Sequence, residues 1–282
     1  MVLVGRNKRR GANVARRLAQ CAPNCLVRFI ATDLSKQGEV RRLAKIIETE
    51  FDHVDVLINN AGARFDTYGA TEDNIERTFA TNHLAHFLLT GLLLGHLALA
   101  PFARVITVTS QVHHAAEADE TWLHREQDYN RRQAYAKSKL ANVLFAFELS
   151  RKLTGTRIVS NAVDPGVAAT NFARNNGPVA WTKHLISHWV NGTLRSPAEA
   201  ADSIVYLATS CETGSLTGSL VRNRRVIQAS EAAQDRALAE DLWNQSAQLV
   251  GIDFAPRSSA TAAFSLTTAH HRGRAYPHEQ PA

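Results

Sequence analysis

Cysteine is scarce in this chain of 282 residues, which contains only Cys21, Cys25 and Cys211. Three thiols cannot form an even disulfide framework, and none of them lies in a CxxC pair or near a histidine at metal-ligand spacing. We therefore interpret the cysteines as structural thiols and predict no metal site.

A long apolar run without polar side chains is also missing. The most apolar stretch, residues 84–101, contains His86 and His96 and has the pattern of a buried amphipathic helix, so no membrane span is predicted. The first residues lack the basic region and the long apolar core of a signal peptide. These absences predict a cytoplasmic protein.

Two further classes of protein lack their usual signals. The net charge is +6, but the Lys and Arg residues are spread along the chain without interleaved aromatic residues, so no nucleic-acid partner is expected. The Gly-x-Ser-x-Gly turn of many serine hydrolases is absent. With 45% hydrophobic and 21% charged residues, the composition is that of a globular chain.

Short β-branched runs alternate with longer helical patterns, which predicts an α/β fold built on a parallel sheet. The predicted strands cover residues 2–4, 26–31, 54–58, 104–109, 157–162 and, at an edge of the sheet, 220–226. The predicted helices cover residues 35–50, with Ser35 as the cap, and 12–20, 82–97, 133–152 and 197–209, and another is expected to start at Thr71. One domain is predicted over residues 1–253, followed over residues 254–282 by a disordered tail rich in Ser, Thr, Ala, Pro and His.

The strongest local signal is the pair Tyr135 and Lys139, which lie one helical turn apart on the same face. An ammonium group next to a phenol favours the phenolate, so the pair predicts proton transfer near neutral pH. A Tyr and a Lys at this spacing also occur on ordinary solvated helix faces, so the interpretation depends on the rest of the chain.

Three predicted strand ends support it. Ser110 ends one strand, Asn59-Asn60-Ala61-Gly62 follows another, and Asp164-Pro165-Gly166 follows a third. The carboxyl ends of parallel strands meet at one edge, where open α/β sheets bind their ligands. Each sequence is also typical of an ordinary turn or cap, and Thr109 and Ser138 are alternatives to Ser110 for holding a substrate carbonyl.

In this order, these residues resemble the short-chain dehydrogenase/reductase family over about residues 2–253. The resemblance implies a Rossmann-like, doubly wound parallel sheet and an oxidoreductase that interconverts an alcohol and a carbonyl by hydride transfer. It implies that Tyr135 is the catalytic acid–base, that Lys139 lowers its pKa and binds the nicotinamide ribose, and that Ser110 orients the reacting oxygen. Asn82 matches the family's fourth catalytic position. The other implied cofactor contacts are Asp33 near adenine, Asn60, Ala61 and Gly62 beside adenosine, and Pro165, Gly166 and Thr170 over the nicotinamide amide and the phosphates.

Within the family, residues 82–87, the long gap between Ser110 and Tyr135, and residues 233–243 look most like the retinol dehydrogenase branch. That branch implies a lipophilic small-molecule substrate, and Trp181 and Trp189 are candidate pocket residues, with the buried core as the equal alternative. Oligomers are usual in the family, which implies a homo-oligomer that pairs through the helices at 82–97 and 133–152.

The choice of cofactor is predicted from the charge after the first strand. Arg6 follows that strand, Lys8, Arg9 and Arg10 lie close to it in sequence, and an arginine in such a place accommodates a 2′-phosphate. NADP(H) is therefore favoured over NAD(H), with a solvated basic turn as the alternative.

The family's first strand and Gly-rich turn, whose helix binds the pyrophosphate, have no counterpart in this sequence. In the family's strand order that strand lies between those at 2–4 and 54–58, so an N-terminally truncated sheet with two unpaired central edges is predicted. The hypothesis is that a fuller form starts some tens of residues upstream or that the chain is a truncated copy. The alternative function is a catalytically inactive, truncated family member that acts as an interaction protein.

Overall fold

The computed structural model describes residues 1–119, 121–168, 194–252 and 254. Its strands are β1 (Val2–Gly5), β2 (Arg28–Ala31), β3 (Val56–Asn59), β4 (Ala103–Val108), β5 (Ile158–Val163), β6 (Val167–Ala168), β7 (Leu194–Arg195), β8 (Leu220–Arg222) and β9 (Arg225–Ile227). Its helices are α1 (Lys8–Cys21), α2 (Gln37–Glu50), α3 (Arg77–Leu99), α4 (Arg131–Lys152), α5 (Pro197–Thr209), α6 (Glu231–Gln234) and α7 (Arg236–Val250), with 3₁₀ turns at Gln111–Ala115 and Cys211–Thr213.

The main sheet has the strand order β3-β4-β5-β8-β9, in which only β9 runs antiparallel to its neighbour. Strands β1 and β2 form a separate parallel pair. The α/β fold with a parallel sheet is therefore confirmed. Among the described residues β1 and β3 do not pair, and each leaves an open edge on which Val4 is 37% exposed and Ile58 is 43% exposed.

Helices cover both faces of the main sheet. On one face, α3, α4 and α7 bury Leu88, Leu144 and Trp243 in the larger core cluster, since α4 packs against β4, β5 and α7. On the other face, α5 covers a smaller cluster that includes Ile106 and Leu207. Alternate residues of β4 thus enter different cores, as the two-residue period of a strand requires.

Helix α7 was not predicted, and it brings Trp243 against two rings of the core. The Trp243 ring lies 5.0 Å from the Phe87 centroid and 5.9 Å from that of Phe145. The ring centroid of Phe254 lies 4.6 Å from those of both Phe87 and Trp243. Residues 255–282, most of the predicted tail, lie outside the described residues.

Helix α2 starts later than predicted, because Ser35 is not its cap. Ser35 donates its backbone N–H and its hydroxyl to the Asp33 carboxylate, which closes a turn. Lys36 occupies the cap position without a side-chain hydrogen bond, and the Asp73 carboxylate accepts from the Gln37 N–H at 3.1 Å instead.

The helix expected at Thr71 is also wrong. The Thr71 hydroxyl accepts from the Asp73 and Ile75 N–H groups and closes a turn. Helix α3 starts at Arg77, where the buried Glu76 carboxylate accepts from the first free N–H groups of the helix.

Helix α3 contains a π-helical turn at Ala80–Leu84 between its α-helical parts. Among the described residues, α3 alone is long and apolar enough to cross a membrane by length and composition, and 61% of the window that meets this test is buried inside the protein.

Two smaller predictions are corrected. Residues 220–226 form two strands, not one, because Asn223 and Arg224 adopt positive φ values of 52° and 58° and turn the chain back as a hairpin. The three cysteines are free and exposed, so they do not contribute to the core as structural thiols.

Candidate functional site

The predicted convergence of three strand ends is confirmed. Strands β3, β4 and β5 are parallel neighbours, and Asn59 is in register with Thr107 while Thr107 is in register with Ala162. The segment from Asn60, the residue Ser110 and the turn from Asp164 therefore leave the sheet at one edge.

Lys139 lies on the buried face of α4 and is 4% exposed. Its Nζ donates to the Val108 carbonyl at 3.2 Å and lies 5.7 Å from the centroid of the Tyr135 ring. Burial lowers the pKa of Lys139 to about 8, and the negative charge of Asp164 opposes that shift. With this pKa, the Lys139 ammonium can release a proton, and its neutral amine can take one up, near neutral pH.

Tyr135 is partly buried in the second turn of α4. Burial raises the pKa of its phenol, Asp164 raises it further, and the positive charge of Arg64 opposes the rise. This direction is opposite to the one expected from Lys139, because desolvation of the phenolate outweighs the neighbouring charges. Sequence reasoning missed Arg64, which follows the Asn60-Ala61-Gly62 loop closely in the chain.

The structure separates Ser110 from its two alternatives. The Thr109 hydroxyl donates to the Lys139 carbonyl at 2.7 Å, and the Ser138 hydroxyl donates to the Tyr135 carbonyl at 2.8 Å. Both hydroxyls are buried within the protein, whereas Ser110 is partly exposed and caps the 3₁₀ turn that follows β4. Of these three residues, Ser110 is therefore the accessible one.

Asn82 lies in the π-helical turn of α3 and uses its side chain to hold the loop after β3. Its Oδ1 accepts from the Ala63 N–H at 2.7 Å, and its Nδ2 donates to the Ala63 carbonyl at 2.9 Å and to the Ser138 hydroxyl at 3.0 Å. The other end of the loop is held by Asn59, which donates to the Thr90 hydroxyl at 3.0 Å. Both ends of the Asn60-Ala61-Gly62 segment are thus fixed.

Gly62 brings this loop against α4, since a Cβ on it would lie 3.5 Å from both the Lys139 Nζ and the Asn82 Oδ1. The Asp164-Pro165-Gly166 turn closes on itself, because the Gly166 N–H donates to Asp164 at 2.9 Å. Gly166 has a φ of +74° and a Cβ there would lie 2.9 Å from Arg195, so only glycine fits. Thr170, Trp181 and Trp189 lie outside the described residues.

Arg6 and Asp33 follow the strands of the separate pair, β1 and β2. Arg6 is exposed and precedes Asn7, whose side chain caps α1 by accepting from the Arg10 N–H at 2.9 Å. The Asp33 Oδ1 accepts from Ser35. Among the described residues, no hydrogen bond or ion pair joins Arg6 or Asp33 to the residues around Lys139.

A second polar residue missed by sequence reasoning is Asn142, one turn after Lys139. Its Nδ2 donates at 3.0 Å to the same Val108 carbonyl that binds the Lys139 ammonium. The signal was the three-residue spacing, which places both side chains on one helix face. Within the described ranges, no three His, Cys, Asp or Glu side chains group as metal ligands.

The model of the short chain dehydrogenase family matches residues 1–179, more than half of the chain. The chain belongs to this family.

Curated relatives of this family member include retinol dehydrogenases. Human retinol dehydrogenase 14 is 35% identical over 243 residues, which cover 84% of this chain and 72% of that protein. Human retinol dehydrogenase 13 is 39% identical over 227 residues, which cover 78% of this chain and 68% of that protein. Human polyprenol dehydrogenase is 31% identical over 259 residues, or 89% and 78% of the two chains.

Solved structures are similar to this chain in fold. A Mycobacterium paratuberculosis protein is 31% identical with a TM-score of 0.69 over 90% of this chain and 84% of its own. L-Sorbose reductase from Gluconobacter frateurii, 21% identical with a TM-score of 0.61 over 78% and 83% of the two chains, shares the fold. This dehydrogenase is thus an oxidoreductase related to retinol dehydrogenases. Its fold implies a nicotinamide cofactor and a small-molecule substrate. The alternative of an inactive interaction protein is not favoured.

The donor groups at the sheet edge fit such a cofactor. Lys139 is buried, yet among the described residues its ammonium makes one hydrogen bond, to Val108, and an ammonium has three donors. Two donors are left for the hydroxyl groups of a ribose. The neighbouring Gly62 has no side chain to fill the space beside the ammonium.

Proposed function

We propose that this dehydrogenase interconverts an alcohol and a carbonyl of a lipophilic small molecule, with NADP(H) as the hydride donor or acceptor. The observation that carries the proposal is the pairing of Tyr135 with the buried Lys139 on α4, at the sheet edge where the partly exposed Ser110 lies. The retinol and polyprenol dehydrogenases among the relatives support the lipophilic substrate.

In the proposed mechanism, Tyr135 transfers the proton and Ser110 orients the reacting oxygen by a hydrogen bond. A bound nicotinamide supplies or accepts the hydride. Because burial raises the pKa of Tyr135, its phenol is protonated at neutral pH and is ready to donate to a developing alkoxide. The same group accepts the proton back when an alcohol is oxidised, so the arrangement serves both directions.

Lys139 has two proposed tasks. Its two remaining N–H donors bind the ribose hydroxyls, and its pKa of about 8 lets it resupply the proton that Tyr135 loses. Asn82 is proposed to hold the loop and α4 in place through Ala63 and Ser138.

The remaining contacts are proposed from the same edge. Asn60, Ala61 and Gly62 flank the adenosine, and Pro165, Gly166 and Thr170 cover the nicotinamide amide and phosphates. Asp33 lies beside adenine. We also propose that residues 1–253 form the catalytic domain, that the protein is cytoplasmic, and that it forms homo-oligomers.

The preference for NADP(H) is proposed from the start of α1. Arg6 is exposed next to the helix N-terminus, and Lys8, Arg9 and Arg10 in the first turn are exposed as well. The first turn contains no acidic side chain, so the local charge and the helix dipole both favour a phosphate.

The test is a titration with NADPH and NADH, followed by reduction of retinaldehyde in detergent micelles. Tyr135→Phe is expected to abolish turnover while NADPH still binds, because only the proton-transferring hydroxyl is removed. The matched control is Tyr129→Phe, whose hydroxyl donates to the Phe65 carbonyl at 2.9 Å away from Lys139. Absence of binding of either nucleotide at millimolar concentration would overturn the proposal.

A further inference from the structure

His113 lies in the 3₁₀ turn that follows Ser110, and its ring is buried, with the residue 1% exposed. Both ring nitrogens have partners. Nδ1 lies 2.7 Å from the Ser110 carbonyl oxygen, and Nε2 lies 3.2 Å from the backbone nitrogen of Ser230. The ring therefore bridges the serine of the site to a distant part of the chain.

The two partners fix the proton on the ring. A carbonyl oxygen can only accept, so Nδ1 must carry the hydrogen, and a backbone N–H can only donate, so Nε2 must be the acceptor. His113 is thus held as the neutral Nδ1–H form. Burial, the largest cause, lowers the pKa of His113 and favours the same neutral form.

The Ser110 carbonyl is fixed from within its own turn as well. It accepts from the His113 backbone N–H at 3.1 Å in addition to the ring. Ser110 is also the cap of this turn, where its Oγ accepts from the Val112 N–H at 3.5 Å, so the turn that holds the carbonyl also anchors the hydroxyl. A ring that fixes the carbonyl therefore constrains the hydroxyl.

The other partner belongs to the segment that supports the catalytic helix. Ser230 caps α6, where its hydroxyl accepts from the Ala233 N–H at 3.3 Å, and α6 and α7 pack against α4. The His113 ring thus joins the end of β4 to the C-terminal helices, which lie against the helix that carries Tyr135 and Lys139.

We propose that His113 is a positioning residue for the reaction: its ring holds the Ser110 carbonyl, and through it the Ser110 hydroxyl, at a fixed place against the cap of α6 at Ser230. This inference rests on the proposed function, because it assigns Ser110 to the substrate oxygen. His114, the exposed neighbour, has no hydrogen bond among the described residues and is the natural control.

Two substitutions separate the two contacts. In His113→Asn the amide nitrogen takes the place of Nδ1 and can still donate to Ser110, but the side chain is too short to reach Ser230. In His113→Gln the amide oxygen takes the place of Nε2 and can accept from Ser230, but the donor to Ser110 is lost. The experiment measures kcat and KM for NADPH-dependent reduction of retinaldehyde and the hydrogen exchange of the Ser230 amide.

We expect kcat to be about tenfold lower in H113Q than in H113N, with similar KM values for NADPH, since misplacement of a reacting group mainly lowers kcat. The Ser230 amide is expected to exchange faster in H113N than in H113Q, and H114Q is expected to match the wild type in both measurements. Equal kcat values in H113N and H113Q would overturn the inference and leave the proposed function intact.

A measurement on the wild-type protein tests the inference even if the variants do not fold. Nitrogen-15 NMR at pH 7.5 is expected to show His113 as the neutral Nδ1–H form, and an Nε2–H or charged ring would overturn the inference. Absence of turnover in the wild type would overturn the proposed function together with the positioning role of His113, whereas the exchange of Ser230 would still report whether the contact exists.

Discussion

The two regions proposed to bind the nucleotide, around α4 and around α1, are built differently. Helix α4, which carries Tyr135 and Lys139, buries 13 of its 22 residues, whereas no residue of α1 is buried. Helix α1 lies on β2 through Gly11, where a Cβ would lie 2.1 Å from the Phe29 ring. The proposed proton transfer needs groups that are held at fixed distances, and the core around α4 holds them. The proposed recognition of a phosphate by the exposed cations of α1 depends on charge more than on rigidity.

The first way to test this comparison is to remove the buried ammonium of α4. Lys139→Met is expected to lower kcat by about 10²–10⁴-fold, because the proton path and the ribose contact are lost together. The control, Lys137→Met, removes an ammonium that binds Asp119 at 2.6 Å and the Thr121 carbonyl at 2.9 Å on another face of the same helix. Steady-state kinetics measure kcat for both variants, and equal losses of kcat would contradict the role proposed for Lys139.

The second test compares the stability of the two regions. Leu144→Ala removes a fully buried side chain of α4 and is expected to lower the free energy of unfolding by about 2–5 kcal/mol. Leu18→Ala on α1 removes a partly exposed side chain, so a loss below about 1 kcal/mol is expected. Urea unfolding measures both, and a larger loss from Leu18→Ala would reverse the comparison.

The third test concerns the charge at α1. Arg6→Ala is expected to weaken NADPH binding by about tenfold to a hundredfold, as loss of a charged hydrogen bond does, and to leave NADH binding nearly unchanged. Arg17→Ala, at the exposed far end of α1, serves as the control. Fluorescence titration measures the dissociation constants of NADPH and NADH for each variant, and their ratio shows whether the loss is specific to NADPH. An equal loss for NADH would mean that Arg6 does not contact the 2′-phosphate.

The fourth test uses acid. Burial lowers the pKa of His83 and of His86, both on α3, to about 3. The unfolded chain takes up these protons near pH 6.5 and the folded protein only near pH 3, so stability is expected to fall as the pH drops from about 6.5 to 3.

His86→Gln should flatten this dependence, and His53→Gln, which changes an exposed side chain, should leave it intact. Urea unfolding at pH 7 and pH 4.5 measures how much the free energy of unfolding of each variant changes between these two pH values. Because residues 1–52 contain no histidine, hydrogen exchange at pH 4.5 should rise more around α3 than in β1. A uniform rise would contradict the comparison.

Periodicity and strand-end motifs predicted the parallel sheet and the meeting of Ser110, Gly62 and Asp164 at one edge, because these depend on local sequence and on the geometry of parallel strands. The direction of each hydroxyl could not be predicted. Thr109 and Ser138 are as polar as Ser110, and only the packing of α4 turns them inward.

Other misses have the same origin. Glu76 caps α3 as a buried carboxylate, and a charged residue is not expected inside unless its partners are known. Likewise, the shift of the Tyr135 pKa has the opposite sign to the one that the Tyr-x-x-x-Lys spacing suggests, because spacing shows the neighbouring charge but not the depth of burial.

The wide turn at Ala80–Leu84 has a consequence for how this helix tolerates insertion and deletion. A π-helical turn holds one residue more than an α-helical turn, and each residue rotates an α-helix by about 100°. Deleting one residue within it would convert it to an α-helical turn, so the parts of α3 on either side, with Glu76 at one end and His86 and Thr90 at the other, would keep nearly the same relative orientation. A single-residue deletion should therefore damage the helix less here than in its α-helical parts, where it would rotate one side of α3 against the other, although the side chains inside the turn, Asn82 among them, would shift.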